Sequence, residues 1–199
     1  MIRFFDITFS FFGILLLSPL FLIIYFLIVL ESKGGGFYIQ IRVGLNGEDF
    51  KLYKFRSMAT GSDKKGLITI GGNDSRITQM GLFIRKYKID ELPQLFNVLV
   101  GDMSLVGPRP EVRKYVDLYN SDQFKVLSVR PGITDYSSIE YVDENVILGS
   151  VTNPEQVYIE QIMPNKICLN MKYIQNKNLK EYFKIIFLTF LSILYNNKN

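Results

Sequence analysis

Hydrophobic and polar positions are unevenly spread along this chain of 199 residues. Phe9 to Leu30 carries no charged residue and is long enough to cross a bilayer as one helix. No small-residue cleavage site follows it, so it does not read as a removable signal. Ser18-Pro19 interrupts its middle. Pro19 cannot donate to the carbonyl of Leu15 and its ring crowds that turn, while Ser18 can bond back to the turn before it. A break there leaves Phe9–Leu17 and Leu20–Leu30. At about 1.5 Å per residue, each arm reaches roughly half of a ~30 Å hydrocarbon core. Two geometries therefore fit the residues: a kinked spanning helix, or a helix that dips into the membrane and returns to the same face. Arg3 and Asp6 before the run, and Glu31 and Lys33 after it, orient it little.

Gly34-Gly35-Gly36 ends the apolar run and lets the chain turn. FYIQIRVG alternates as a strand, Asn46-Gly47 predicts a hairpin turn, and DFKLYKFRSM predicts the returning strand. Lys54 and Arg56 would share one face of it, either as a solvated basic face or as phosphate ligands. Ala59 to Ser75 is polar and glycine-rich, a loop. Gly71-Gly72 lacks the spacing of a nucleotide-binding fingerprint and reads as a turn. Ile77 to Ile89 patterns as an amphipathic helix, with Met80, Phe83, Ile84 and Tyr87 on one stripe and Arg85, Lys86 and Lys88 around it; it suits a membrane surface or the body of the protein equally.

Asp90-Glu91-Leu92-Pro93 has the form of a helix start, continued by QLFNVLV to Gly101. Arg130-Pro131-Gly132 reads as a turn, and Glu140, Asp143 and Glu144 as a solvated acidic loop, with a metal or sugar contact as the alternative. Asn153-Pro154-Glu155 opens another helix, which Pro164 divides in two. Leu179 to Tyr195 predicts a core or interfacial helix, since Lys184 argues against a free span. The fold class is α+β, mainly helical, with a small β-hairpin. Residues 1–33 form a membrane helix and 34–199 one continuous interfacial domain, without repeats.

Composition narrows the partners. Hydrophobic residues make up 48%, mean hydropathy is +0.14, net charge is +4 and the pI is near 9.0. That balance suits anionic partners such as a membrane surface or phosphates; no nucleic-acid reader motif accompanies it. The single Cys168 excludes an internal disulfide and reads as a small buried filler. The chain has no histidine, so any acid, base or nucleophile must be another residue type.

The chemistry concentrates between Arg76 and Pro110. Asp90-Glu91 is an adjacent carboxylate pair bracketed by basic residues and followed by Gly107-Pro108-Arg109-Pro110, a stiff loop that can hold an arginine against a phosphate. Asp90 reads either as a helix cap or as a reactive group. A helix N-terminus and nearby cations would keep the pair ionised, hence nucleophilic or metal-binding.

Taken together, FDITFS…LLLSPL, FYIQIRVGLNG, FKLYKFRSM, the long RIT…GLFIRKYKIDELPQLFNVLVGDMSLVGPRP block, VRPGIT and PNKICLNMKYIQN…KIIFLT resemble the small monotopic phosphoglycosyl transferases, bacterial sugar transferases of minimal catalytic-core type. The resemblance covers nearly the whole chain. It implies a re-entrant helix broken at Ser18-Pro19, with both ends on the cytosolic face of the bacterial inner membrane. It also implies transfer of a phosphosugar from a UDP-sugar to polyprenyl phosphate, usually undecaprenyl phosphate, with release of UMP and Mg²⁺ as cofactor. On this chain Asp90 would be the nucleophile that carries a covalent phosphosugar, and Glu91 would hold the metal. Lys54, Arg85 and Arg109 would contact phosphate, with Arg56 beside Lys54 as a further candidate. After Pro-Gly-Ile-Thr this chain reads Asp135-Tyr136-Ser137-Ser138-Ile139-Glu140, where many relatives have Gly-Trp-Ala-Gln-Val-Asn-Gly-Arg. The donor sugar therefore stays open. The competing reading is a non-catalytic membrane-associated scaffold or binding protein of the same fold. Direct transfer without a covalent intermediate also fits the residues.

Overall fold

The computed structural model describes residues 1–62 and 74–196. The expected loop over Ala59 to Ser75 and its Gly71-Gly72 turn lie mostly or wholly outside these residues. The chain is α+β and mainly helical.

Helix α1, Ile2–Glu31, continues through Pro19 as one element, where the sequence suggested two arms. Ser18 Oγ donates to Leu15 O at 2.8 Å, so the carbonyl that Pro19 leaves without its amide donor receives a hydroxyl instead. By length and composition α1 could cross a membrane. One stripe, including Asp6, Ser10, Phe21, Ile24 and Ile28, is buried, while Phe12, Leu16, Leu22 and Phe26 on other faces are exposed.

Both ends of α1 are fastened to the same body. At the N-terminal end, Arg3 donates to Val98 O at 2.6 Å and Leu99 O at 3.0 Å. Asp6 Oδ1 accepts from Ser104 Oγ, the Leu105 amide and the Tyr182 hydroxyl at 2.9–3.0 Å. At the other end, Glu31 accepts from the Met80 amide at 3.0 Å.

Strands β1, Phe37–Val43, and β2, Asp49–Phe55, form the expected antiparallel hairpin, with Phe37 opposite Phe55 and Val43 opposite Asp49. Asn46 (φ 57°) and Gly47 (φ 81°) supply the left-handed turn residues. The returning strand ends at Phe55, short of the predicted Met58. Helix α2, Gln79–Lys86, is capped by Thr78, whose side chain accepts from the Gly81 amide. It is shorter than predicted because Lys88 adopts φ 56° and turns the chain away. The predicted stripe divides: Ile84 is buried, whereas Phe83 and Tyr87 are exposed and pack on each other. A 3₁₀ turn, Ile89–Glu91, precedes α3, Gln94–Val100.

Helix α3 packs along α1, with Leu95 against Gly13 and Phe96 near Phe21. Phe21, Ile24 and Ile28 of α1 join Phe55 and Ile84 in one buried cluster, with Ile89 and Leu92 at its edge. Burying side chains of this size contributes about 1.5–3 kcal/mol each, so the apolar segment is part of the core that supports the site.

Strand β3, Ser104–Val106, pairs in parallel with β4, Gly132–Thr134. The Arg130-Pro131-Gly132 segment, read as a turn, therefore leads into a strand. Gly107 and Gly132 allow this: a Cβ on Gly132 would lie 2.0 Å from the Gly107 nitrogen. The rest is helical: α4 Arg113–Val116, α5 Tyr136–Glu140, α6 Glu144–Gly149, α7 Pro154–Val157, α8 Met163–Gln175 and α9 Leu179–Asn196. Asn153 caps α7 as its sequence suggests. Pro164 cannot donate to the carbonyl of Glu160, and a π turn, Tyr158–Ile162, precedes α8 there. A second cluster of Val112, Tyr115, Val126, Leu148, Tyr158, Met163 and Ile167 joins these helices. Cys168 is exposed on α8 rather than buried, since Ile167 beside it takes the inward position.

Candidate active site

A cleft of about 640 Å³ opens between the hairpin, the 3₁₀ turn, the Pro108–Glu111 loop and the C-terminal helices. That volume suits a drug- or nucleotide-sized ligand. Lys54, Arg85, Lys88, Asp90, Glu91 and Arg109 line one part, and Tyr115, Tyr119, Tyr141, Tyr158 and Lys166 line another.

The two carboxylates have different surroundings. Arg109 grips Glu91 with both guanidinium nitrogens, Nη1 reaching Oε2 at 3.1 Å and Nη2 reaching Oε1. Lys54 Nζ donates to the same Oε1 at 3.3 Å. Asp90, almost buried, accepts no hydrogen bond among the described residues. It also makes no capping bond to α3, whose cap position is Pro93, so the cap reading does not hold.

The expectation that nearby cations favour the ionised form of the pair holds for Glu91 and not for Asp90. Burial and the adjacent Glu91 charge raise the Asp90 carboxyl above its ordinary range, against Lys54, Arg85 and Lys88. Burial also pushes on Glu91, but Arg109 and Lys54 outweigh it and hold that carboxyl well below its ordinary range. Two buried carboxylates side by side repel, and the cations are spent on one of them. Burial lowers Lys54, opposed by Glu91 and helped by Arg109. Arg109 is raised by Glu91.

The structure thus brings Lys54, Arg85, Asp90, Glu91 and Arg109 to one cleft. Arg56 lines the same cleft, but its guanidinium is bonded to the end of α1 and not to the pair. Its Nε donates to Gly35 O at 2.7 Å, Nη1 to Lys33 O at 2.9 Å and Thr60 Oγ1 at 3.3 Å, and Nη2 to Ser32 O at 2.9 Å, with Ile28 O and Gly34 O at 3.4 Å. All five N–H donors of a guanidinium are engaged at the end of α1, leaving none for a phosphate. The strand ends one residue earlier, so Arg56 does not keep the face of Lys54.

Several supporting residues were not apparent in the sequence. Asp135 is fully buried; its carboxylate accepts from the Arg109 amide at 3.0 Å, Ser137 Oγ at 2.7 Å and the Ser138 amide at 2.6 Å. It fixes the loop that carries Arg109 while capping α5. Arg42 donates to Pro110 O at 3.0 Å and Glu111 at 3.3 Å, and the Tyr158 hydroxyl meets the other Glu111 oxygen. The only advance signal was Arg42 in a strand facing Lys54's side. The acidic run divides: Glu140 and Asp143 are exposed as expected, whereas Glu144 opens α6 and pairs with Lys166 at 2.8 Å on the cleft wall.

The family model for bacterial sugar transferases matches residues 1–196. The chain belongs to the bacterial sugar transferase family. Among curated relatives of this bacterial sugar transferase, a UDP-N-acetylgalactosamine-undecaprenyl-phosphate N-acetylgalactosaminephosphotransferase from Aeromonas hydrophila is 40% identical over 95% of this chain and 42% of its own length. A putative undecaprenyl-phosphate N-acetylgalactosaminyl 1-phosphate transferase from Bacillus subtilis is 45% identical over 60% of this chain and 67% of its own. A UDP-glucose:undecaprenyl-phosphate glucose-1-phosphate transferase from Klebsiella pneumoniae is 37% identical over 92% of this chain and 38% of its own. The chain spans about two fifths of the length of the Aeromonas and Klebsiella relatives.

Proposed function

We propose that this bacterial sugar transferase moves a phosphosugar from a UDP-sugar to a polyprenyl phosphate such as undecaprenyl phosphate, on the cytosolic face of the bacterial inner membrane. The observation that carries the mechanism is the unequal pair: Glu91 is held by Arg109 and Lys54, while Asp90 faces the same cleft with its oxygens unengaged. An Asp90 oxygen attacks the sugar-bearing phosphorus and forms an acyl phosphate. The bond between that phosphorus and the bridging oxygen breaks, and UMP leaves with the oxygen. An oxygen of the polyprenyl phosphate then attacks the same phosphorus, forming the lipid diphosphate-sugar and releasing the Asp90 carboxylate. Splitting the transfer lets nucleotide and lipid use the site in turn.

Arg109, Lys54 and Arg85 supply positive charge for the phosphoryl oxygens. Mg²⁺ is commonly bound through one or two carboxylates plus substrate phosphates, and the adjacent carboxylates of Asp90 and Glu91 suit that mode once Glu91 exchanges a contact with Arg109 or Lys54 for the ion. Glu91, with Asp90 beside it, would hold the ion, which when bound neutralises charge on the donor diphosphate. Attachment of both ends of α1 to one body supports a re-entrant helix rather than a span; a helix held so would keep the cleft near the height of a lipid phosphate.

The test is UMP release from a panel of UDP-sugars with undecaprenyl phosphate and Mg²⁺, alongside acid-quenched mass spectrometry of the protein. A phosphosugar mass on the Asp90 peptide, lost in Asp90→Asn together with turnover, is the expected result. Full turnover by Asp90→Asn overturns the reading. Turnover without an adduct points to direct transfer, and no release from any donor to the scaffold alternative.

A further inference from the structure

Arg56 is a buried cation whose partners are carbonyl oxygens, with no carboxylate within ion-pair distance among the described residues. The last carbonyls of a helix lack intrahelical donors and carry its negative dipole end. Ile28 O belongs to the final turn of α1, and Ser32, Lys33, Gly34 and Gly35 form the exit from it. One guanidinium therefore gathers the helix end and the whole glycine-rich exit. Thr60 Oγ1 adds a bond to Lys33 O at 2.7 Å, and the Arg56 amide donates to Gly36 O at 2.9 Å.

The three residues Lys54-Phe55-Arg56 connect two places. Lys54 touches Glu91. Phe55 is buried, stacked on Phe37 and edge-on to Phe21 of α1. Arg56 holds the end of α1. The strand end Lys54-Phe55-Arg56 is thus one tie between the carboxylate pair and α1, beside the packing of Ile89 and Leu92 on the cluster that holds Phe21, Ile24 and Ile28, and it is the tie that reaches the exit of the helix.

We infer that Arg56 is a positioning residue that fixes the height of Asp90-Glu91 relative to α1, and so governs the lipid-accepting half of the reaction rather than the donor half. This rests on the two-step reading above. The donor is water-soluble and can follow the site wherever it sits. The acceptor phosphate is held at the depth of its membrane, so a small displacement of the site matters only to it; misplacing reacting groups by about 1 Å can cost ~100-fold.

The experiment uses the full chain in lipid nanodiscs containing undecaprenyl phosphate, with whichever of UDP-N-acetylgalactosamine, UDP-N-acetylglucosamine, UDP-glucose or UDP-galactose gives UMP release in the wild type. Arg56→Lys keeps the charge with fewer donors; Arg56→Gln removes the charge. The UMP burst without acceptor is compared with steady acceptor-dependent turnover. The expected result is a burst within about twofold of wild type and a turnover reduced tenfold or more, less severely in Arg56→Lys. Equal losses of burst and turnover overturn the inference, because a merely destabilised fold would give that pattern.

A second measurement is independent of catalysis. The chain has no tryptophan, so Leu30→Trp, at an exposed position on α1, reports depth through quenching by brominated lipids. Arg56→Gln should shift or broaden that depth profile. An unchanged profile overturns the inference even if the wild type shows no burst, which would instead count against the covalent reading.

Discussion

Behind the loop that carries Arg109 two backbones touch, and Gly132→Ala tests what that contact does. The added Cβ would lie 2.0 Å from the Gly107 nitrogen and 2.5 Å from its oxygen, neither of which can rotate away. Ordinary contact begins near 3.4 Å, so β3 and β4 must part by about 1.4 Å. The bonds from Gly107 N to Thr134 O and from Gly132 N to Pro108 O, both 3.0 Å, would stretch to about 4.4 Å, beyond hydrogen-bond range. Leaving two buried amides unpaired costs about 1–3 kcal/mol each, so we expect a loss of about 4 kcal/mol. For a chain of this size that lowers Tm by roughly 8–16 °C. Arg109 lies two residues beyond Gly107 and its amide is tied to Asp135, so the parting also moves the guanidinium off Glu91. UMP release should fall about 100-fold, as for a ~1 Å misplacement. Thermal unfolding in detergent and the UMP assay read the two effects. A variant within about 2 °C of wild-type Tm and within twofold of its rate would refute the argument that this glycine contact sets Arg109.

Two further outcomes follow from the same geometry. Folding raises the Asp90 carboxyl, so its protonated form is favoured in the native state; that contribution is full below about pH 4 and is lost as pH rises through the native value. Asp90→Asn should therefore gain stability over wild type as pH increases, and the wild-type rate should show an acid limb above the ordinary aspartate range; a stability difference independent of pH would contradict this. Asp6→Ala leaves the Leu105 amide and the Tyr182 hydroxyl without their acceptor, at a cost of about 3 kcal/mol. Hydrogen exchange should then quicken in residues 2–10 but not at the far end of α1, and unchanged protection in residues 2–10 would show that Asp6 does not hold the helix.

Local signals in the sequence were read well where one residue decides the geometry. Asn46-Gly47 could serve only as a left-handed turn, Asn153-Pro154 as a helix start, and Pro164 as a division between helical pieces. Signals that depend on a distant partner were misread. Arg56 belongs to an alternating strand pattern until the strand stops one residue short, and nothing local says that carbonyls of α1 will surround it. Arg130-Pro131-Gly132 has turn composition, yet its glycine is there for Gly107, a neighbour in space alone. Asp90 and Glu91 are adjacent and chemically alike on paper. Only the fold, by sending Arg109 and Lys54 to one of them, makes them different.

The burial of Phe21, Ile24 and Ile28 among Phe55 and Ile84 bears on modularity. An anchor joined by a tether can be cut off or exchanged, leaving a soluble enzyme behind. Here the long apolar helix also supplies one wall of the interior, while Arg3 and Asp6 fasten its other end beneath α9 and α3. Removing residues 1–33 would uncover apolar side chains directly behind the carboxylate pair. A foreign transmembrane helix would not match the pattern of Gly13 against Leu95 and Phe21 against Phe96. The apolar helix and the carboxylate site of this chain are not separable modules, and the polypeptide completes its interior only after its first thirty-one residues have found their place.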